Sequence, residues 1–322
     1  MVKYSIVIPV YNEALVIRET YRRLKRVMEQ TDGPYELLFV NDGSEDETID
    51  ILKELAVKDE TVKYVDFSRN FGHQIAITAG MDYAAGKAIV IIDADLQDPP
   101  ELILDMIDKW KEGYDVVYAK RVKRKGETMF KKVTAYLFYR VLRAATEIDI
   151  PVDTGDFRLI DRKVRDQLVY MRERSRFVRG LVSWVGFKQT AVEYEREERF
   201  AGETKYPLKK MIRFSLDGIT SFSYKPLKFA SLLGFFLSAS SVIGIIITLY
   251  LKLFTHSTVA GWASLFMATL LCNGVMFMML GMMGEYIGRI YDEVKQRPLY
   301  IVKDTWGVGT KYEYEKVPFY ME

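Results

Sequence analysis

Four polar side chains within six residues, Asp93, Asp95, Gln97 and Asp98, gather hard oxygen donors directly after the apolar run Ala88 to Ile92. Carboxylates and an amide at that spacing suit magnesium or manganese, with positions left open for phosphate oxygens. An Asp-x-Asp pair is weak on its own, because acidic residues also begin helices, and Asp98 before Pro99 and Pro100 is read as such a cap. Asp93 and Asp95 are read as metal ligands instead. Two carboxylates at the end of a buried strand are costly without a cation or hydrogen-bond partners. Asp156, between Gly155 and Phe157, either sits beside a reacting centre or joins Asp153 in organising a turn around Gly155. Asp42 has the same two readings: it stabilises the turn through Gly43 and Ser44, or it accepts hydrogen bonds from a nucleoside.

The elements that must position these residues are legible from periodicity. Apolar, β-branched runs recur at Tyr4 to Val10, Tyr35 to Val40, Val62 to Phe67, Ala88 to Ile92 and Val116 to Tyr118, with helical patterns between them. Alternating strands and amphipathic helices predict an α/β fold around a mostly parallel sheet, with its ligand crevice at the carboxyl ends of the strands. Pro9-Val10-Tyr11-Asn12-Glu13, Asn41-Asp42-Gly43-Ser44, Ser68-Arg69-Asn70-Phe71-Gly72 and the Asp93 motif all fall at such ends. No G-x-G-x-x-G follows the first strand and no G-x-x-x-x-G-K-[ST] occurs, which removes the main support for dinucleotide oxidoreductase and P-loop readings.

The chain has 322 residues, enough for two units, and 46 basic against 44 acidic side chains leave a net charge of +2. That balance gives no global case for nucleic-acid binding. Charge is segregated instead. Phe229 to Leu251 are 23 residues without a formal charge, and from Leu253 to Gly284 only His256 could carry one. About 20 apolar residues cross a bilayer, so two transmembrane helices are expected. Basic residues before the first span and after the second, among them Lys209, Arg213, Lys228, Arg289 and Arg297, place both ends in the cytoplasm of a cell-membrane protein. Two further basic stretches, Ala119 to Arg143 and Arg199 to Lys228, are interleaved with aromatic residues and suit a membrane interface. For the first, a solvated helix with core aromatics is the alternative. The expected division is residues 1–200 as the α/β domain, 201–228 as interfacial helices, 229–285 as the membrane region and 286–322 as a cytoplasmic tail. The tail is assigned no chemistry and is expected to pack on a neighbouring copy in a homo-oligomer. Cys272 is the lone cysteine, which excludes an intrachain disulfide. His73 is assigned to capping or lining the pocket, and His256 to an outer loop.

The series V-I-P-V-Y-N-E, V-N-D-G-S, S-R-N-F-G-H-Q, D-A-D-L-Q-D-P-P, D-T-G-D-F-R-L and R-x-x-G-E-T-K-Y closely resembles the polyprenyl-phosphate glycosyltransferases, over nearly the whole chain. The resemblance implies a GT-A fold, a nucleotide-sugar donor with UDP favoured, a magnesium or manganese ion, inversion at the anomeric carbon and a polyprenyl (undecaprenyl) phosphate acceptor in the bilayer. It implies Pro9, Tyr11, Glu13 and Asp42 around the nucleoside and Asp93, Asp95 and Gln97 around metal and diphosphate, with Asn12, Arg69 and Ala94 also among the donor-binding residues. Arg121 is expected to face the crevice, Asp156 to stand beside the reacting centre, and Arg199 and Lys205 to contact donor diphosphate or acceptor phosphate. Thr204 stands where relatives often carry serine and keeps the hydroxyl.

The chemistry is consistent with that resemblance. Breaking a sugar–phosphate bond leaves charge on a nucleoside diphosphate, which a divalent ion and Arg or Lys can stabilise. The attacking oxygen of a lipid monophosphate, with a second pKa near 6, is largely ionised at neutral pH, so a strong base is less needed than for an alcohol. Two other readings stand beside this one. A processive polysaccharide synthase would share the donor domain, but the Q-x-x-R-W motif of such enzymes is absent. A membrane-tethered nucleotide-sugar sensor would require the metal motif or Asp156 to be missing, and both are present.

Overall fold

The computed structural model describes residues 2–123, 154–195 and 261–309, with isolated helical positions between 232 and 254. Five strands fall where periodicity predicts them: β1 (Tyr4–Val10), β2 (Tyr35–Asn41), β3 (Val62–Phe67), β4 (Ala88–Ile91) and β5 (Val116–Lys123). Three more complete the sheet, β6 (Thr154–Asp161), β7 (Gln189–Glu195) and β8 (Val302–Trp306). The order is β7-β5-β6-β4-β1-β2-β3-β8. Strands β3, β2, β1 and β4 run parallel, β6 is antiparallel to both β4 and β5, and β8 pairs antiparallel with β3. The sheet is mixed, with its parallel half carrying the first four strand-end motifs.

Alternation along each strand builds two cores. Ile6, Ile8, Leu37, Phe39 and Val90 face one side, against α1 (Ile17–Met28), α2 (Thr48–Lys58) and α4 (Leu102–Lys111). Val7, Leu38, Val40, Ile89 and Ile91 face the other, against α3 (His73–Tyr83), α5 (Arg162–Tyr170) and α6 (Val178–Trp184). In α1 the buried residues Ile17, Thr20, Leu24, Val27 and Met28 recur every three or four positions, the stripe that one sheet-facing helix requires.

One buried charge knits the amino-terminal edge. Glu36, 1% exposed, accepts from Ser5 Oγ, from Lys63 Nζ at 2.6 Å and from the Ala85 N–H at 2.8 Å. Glu36→Ala strands a part-buried ammonium and a backbone donor, so it should cost about 3 kcal/mol of unfolding free energy. Denaturant unfolding reads this directly, and a loss below about 1 kcal/mol would contradict the account.

The long helix α7 (Trp262–Val294) has 33 residues. It takes in most of the second expected span, but its last third carries Glu285, Arg289, Asp292 and Glu293. Among the described residues no helix is long and apolar enough to cross a membrane. The first expected span, 229–251, lies mostly outside the described residues, as do 124–153 and 196–230, which hold most of both basic stretches. Tyr300 and β8 pack on the chain's own sheet, Tyr300 stacking on Phe67 at 5.0 Å and Tyr64 Oη donating to Asp304 at 3.0 Å.

Candidate active site

The carboxyl ends of β1 and β2 are stitched into one rim. The Asn12 N–H donates to Ser44 Oγ at 2.9 Å, the Glu45 N–H to Asn12 Oδ1 at 2.8 Å, and the Glu13 N–H to Thr48 Oγ1 at 2.9 Å. Asn12 holds φ 53°, a left-handed conformation that Asn tolerates better than most residues. It therefore shapes the Tyr11–Glu13 turn, while Pro9 sits within β1, in register with Val40 of β2.

Asp42 organises a loop other than the Gly43–Ser44 turn. Its Oδ1 accepts from Phe71 N–H at 2.7 Å, and its Oδ2 from Gly72 N–H at 2.9 Å, which fixes the loop entering α3. Burial raises its pKa, and the two backbone donors work against that rise. Gly43, at φ 65°, packs so closely that a Cβ would stand 2.3 Å from the Arg69 carbonyl carbon. Gly43→Ala should therefore displace the 69–72 loop and weaken donor binding, measurable as a raised donor KM. Arg69 lies exposed on this loop with its guanidinium 4.0 Å from the Phe71 ring centre.

After β4, Ala94 is buried and its carbonyl accepts from Thr20 Oγ1 at 2.7 Å, while Asp95 Oδ1 accepts from Gln97 N–H at 3.1 Å. Asp98 is not a helix cap. It is 2% exposed, accepts from Tyr194 Oη and faces Arg121 Nη2 at 3.5 Å, and α4 begins only at Leu102. Arg121 Nε also donates to Tyr194 Oη at 2.9 Å. The guanidinium passes over Gly155, where an added Cβ would meet Nη2 at 2.8 Å. Burial opposes the Arg121 charge, but Asp98 and Tyr194 together outweigh it and raise the pKa.

Asp156 lies in β6, not in a turn. Its Oδ1 accepts from Arg179 Nε at 2.8 Å, and its Oδ2 from Arg179 Nη2 at 3.2 Å and Gln74 Nε2 at 3.1 Å. His73 Nε2 stands between two carboxylates, 3.3 Å from Asp156 Oδ2 and 3.4 Å from Asp93 Oδ1. Burial works against the Asp156 charge, yet Arg179 and His73 overcome it and hold the carboxyl well below its usual range. Burial would likewise depress His73, but Asp93 and Asp156 raise it to about 9. Asp93 goes the other way, to about 6, because burial and the neighbouring Asp156, Asp98 and Asp95 outweigh His73.

A divalent cation fits this arrangement. Asp93 Oδ1 is buried without a hydrogen-bond partner, and anionic neighbours crowd it, which is the condition an added cation relieves. Among the described residues no group of three or more His, Cys, Asp and Glu side chains is placed to hold a metal ion. The structure brings together Asp93, Asp95, Asp156 and Arg121 from the sequence reading and adds Gln74, Arg179 and Tyr194. It also moves His73 to the centre of the site. His73 and Gln74 were within reach of sequence reasoning because they close the S-R-N-F-G-H-Q motif. Arg199 and Lys205 lie outside the described residues.

An α/β sheet whose parallel strand ends converge on an Asp-x-Asp turn and the Asp156–Arg179 pair places a candidate ligand site at those ends. The family model for Glycosyl transferase family 2 matches residues 5–169, and the chain belongs to that family and is a glycosyltransferase. It is 66% identical over 313 residues to Uncharacterized glycosyltransferase YkcC of Bacillus subtilis (strain 168), covering 97% of each chain. It is 41% identical over 301 residues to the SfII prophage-derived bactoprenol glucosyl transferase of Shigella flexneri, covering 94% of this chain and 97% of that relative. These relatives fit the polyprenyl-phosphate glycosyltransferase group that the motifs resemble. A solved mannosyl-3-phosphoglycerate synthase from Rubrobacter xylanophilus superposes with a TM-score of 0.47 at 16% identity, over 68% of this chain and 72% of that one.

Proposed function

We propose that this glycosyltransferase moves a hexose, glucose in the first instance, from a UDP-sugar to undecaprenyl phosphate with inversion, at the cytoplasmic face of the cell membrane. The observation that carries the reading is the buried, unbonded Asp93 Oδ1, set 3.4 Å from a histidine that also touches Asp156. That pocket suits a cation and the diphosphate it neutralises. The 41% identical relative named a bactoprenol glucosyl transferase supports the sugar and the lipid. Along α7, Leu271, Phe277, Met278 and Leu280 are more than half exposed, an apolar surface that a bilayer would cover. Basic residues before the first expected span and after the second, among them Lys228, Arg289 and Arg297, support that orientation.

Asp93, Asp95 and Gln97 are the proposed metal ligands, and a bound Mg2+ or Mn2+ would supply electrostatic stabilisation of the departing diphosphate. The remaining work falls to this chain's own groups. Arg121, anchored by Asp98 and Tyr194 above Gly155, presents a fixed positive charge at the crevice. Asp156 is saturated by Arg179, Gln74 and His73, so it orients these groups as an ionised anchor and is not poised to take a proton near neutrality. The attacking lipid phosphate is already ionised and needs no such base.

Purified protein in detergent, given Mg2+ or Mn2+, undecaprenyl phosphate and a panel of UDP- and GDP-sugars, tests this. The expected product is undecaprenyl phosphate heavier by one hexose, with matching release of UDP. Release of UDP without glycolipid would reject the acceptor, and preference for a GDP-sugar would reject the donor.

A further inference from the structure

The segment joining α5 to α6, residues 171–177, is pinned from two directions. On one side it meets the end of the chain. Arg172 donates twice to Asp82, Nη1 to Oδ2 at 2.9 Å and Nη2 to Oδ1 at 3.1 Å, and Tyr300 Oη donates to the same Asp82 Oδ2 at 2.6 Å. The Arg174 N–H donates to Glu293 Oε1 at 2.7 Å, in the last turn of α7, and the Arg174 guanidinium reaches the Arg297 carbonyl. On the other side the segment delivers α6 to the reaction centre. The Val178 N–H donates to Gln74 Oε1 at 2.9 Å, and the other end of that amide donates to Asp156. Arg179, the next residue, clasps Asp156 and also donates to the Thr154 carbonyl at 3.1 Å.

We propose that Glu293 and Tyr300 are positioning residues: the end of α7 and the strap after it set the placement of Arg179 and Gln74 on Asp156. None of the strap residues touches the reaction centre. They act through a chain of side-chain and backbone bonds. Gln74 is the narrowest link, because its amide uses one end on α6 and the other on β6. A guanidinium that must meet a carboxylate in a fixed two-bond geometry is sensitive to small displacements of its helix. Errors near 1 Å in such sites cost rate even when binding persists. Because α7 is also the helix proposed to meet the bilayer, its seating would be felt at Asp156.

The rate assay rests on the reaction proposed above, so a second measurement stands apart from it. Glu293 is exposed, and Glu293→Ala removes the acceptor for Arg174 without opening a core, whereas Glu293→Gln keeps an oxygen at the same place. Tyr300→Phe removes only the hydroxyl and keeps the ring on Phe67. Glu293→Ala and Tyr300→Phe should each lower kcat about tenfold with donor KM within about twofold, Glu293→Ala with an unchanged unfolding midpoint and Tyr300→Phe with one lowered by the loss of its buried bond to Asp82, and Glu293→Gln should restore the rate. Hydrogen exchange over 171–184, measured without substrates, should be faster in Glu293→Ala than in wild type or Glu293→Gln.

Wild-type kcat in both Glu293→Ala and Tyr300→Phe would overturn the inference. So would a rate loss that Glu293→Gln fails to restore, or unchanged exchange over that segment. If the wild type itself forms no glycolipid, the proposed reaction fails, and the exchange measurement still decides the positioning.

Discussion

Asp93→Asn should abolish glycosyl transfer, lowering kcat by about 10³-fold while the protein remains folded. The asparagine fills the same space but cannot neutralise a cation, and it also gives up the 3.4 Å ion pair between the wild-type Oδ1 and His73. A thermal scan supplies the control. Mn2+ with UDP should raise the wild-type unfolding midpoint, since whatever binds only the native state stabilises it, and should leave Asp93→Asn unmoved. The effect also has a definite pH sense. Asp93 is raised to about 6 in the folded protein from an ordinary carboxyl value of 3.8, so the folded state keeps a proton that the unfolded chain releases between those values. This group's contribution to stability therefore falls as pH rises from about 4 to about 6, and the full deficit persists above it. A cation competes with that proton, so the Mn2+-induced midpoint shift should be small at pH 5 and large by pH 7.5. An equal shift at both values would reject Asp93 as the ligand.

The second large effect belongs to Arg179. Arg179→Ala removes the two-bond clasp on Asp156 and leaves a 6% exposed carboxylate with only His73 and Gln74. Stability should fall by about 3 kcal/mol and kcat by about 10²-fold. Arg179→Lys should recover part of the stability and little of the rate, since an ammonium supplies charge without the planar fork. Because Arg179 first, and His73 with it, hold Asp156 far below its ordinary range, wild-type kcat should show no inflection from this carboxyl between pH 5 and 8. Arg179→Ala retaining wild-type kcat within threefold would remove Asp156 from the reaction centre.

What the sequence revealed, and what it concealed, follows from what periodicity can sense. Strands β1 to β5 are runs of Val, Ile, Leu and Tyr, so alternation finds them and their polar ends mark the crevice. Strand β6 is Thr-Gly-Asp-Phe-Arg-Leu-Ile-Asp, and Thr154, Asp156 and Arg158 are buried along with Leu159. An apolar pattern reads such a segment as a turn, because its burial is supported by ion pairs with residues far along the chain. The same distance hid Arg179 and Tyr194, whose partners stand 23 and 96 positions away. Asp42 could be placed at the crevice, but not distinguished as a loop organiser until Phe71 and Gly72 were seen to use both its oxygens. The tail was illegible because β8 is five residues of mixed polarity whose pairing with β3 no local pattern encodes.

That last strand has a consequence for how the molecule is made. Tyr64 and Asp304, which meet across β3 and β8, are 240 positions apart, and α7 lies between them. During synthesis the parallel half of the sheet can assemble while the outer edge of β3 still shows its backbone donors and acceptors. An open edge of this kind is a template for mispairing with another nascent chain. Its closure must wait until the ribosome has produced residues beyond α7. A chain stopped before 302 keeps the strand-end motifs of β1 to β4 yet carries a permanently sticky border. Its yield after release should then depend on chaperones far more than that of the full chain.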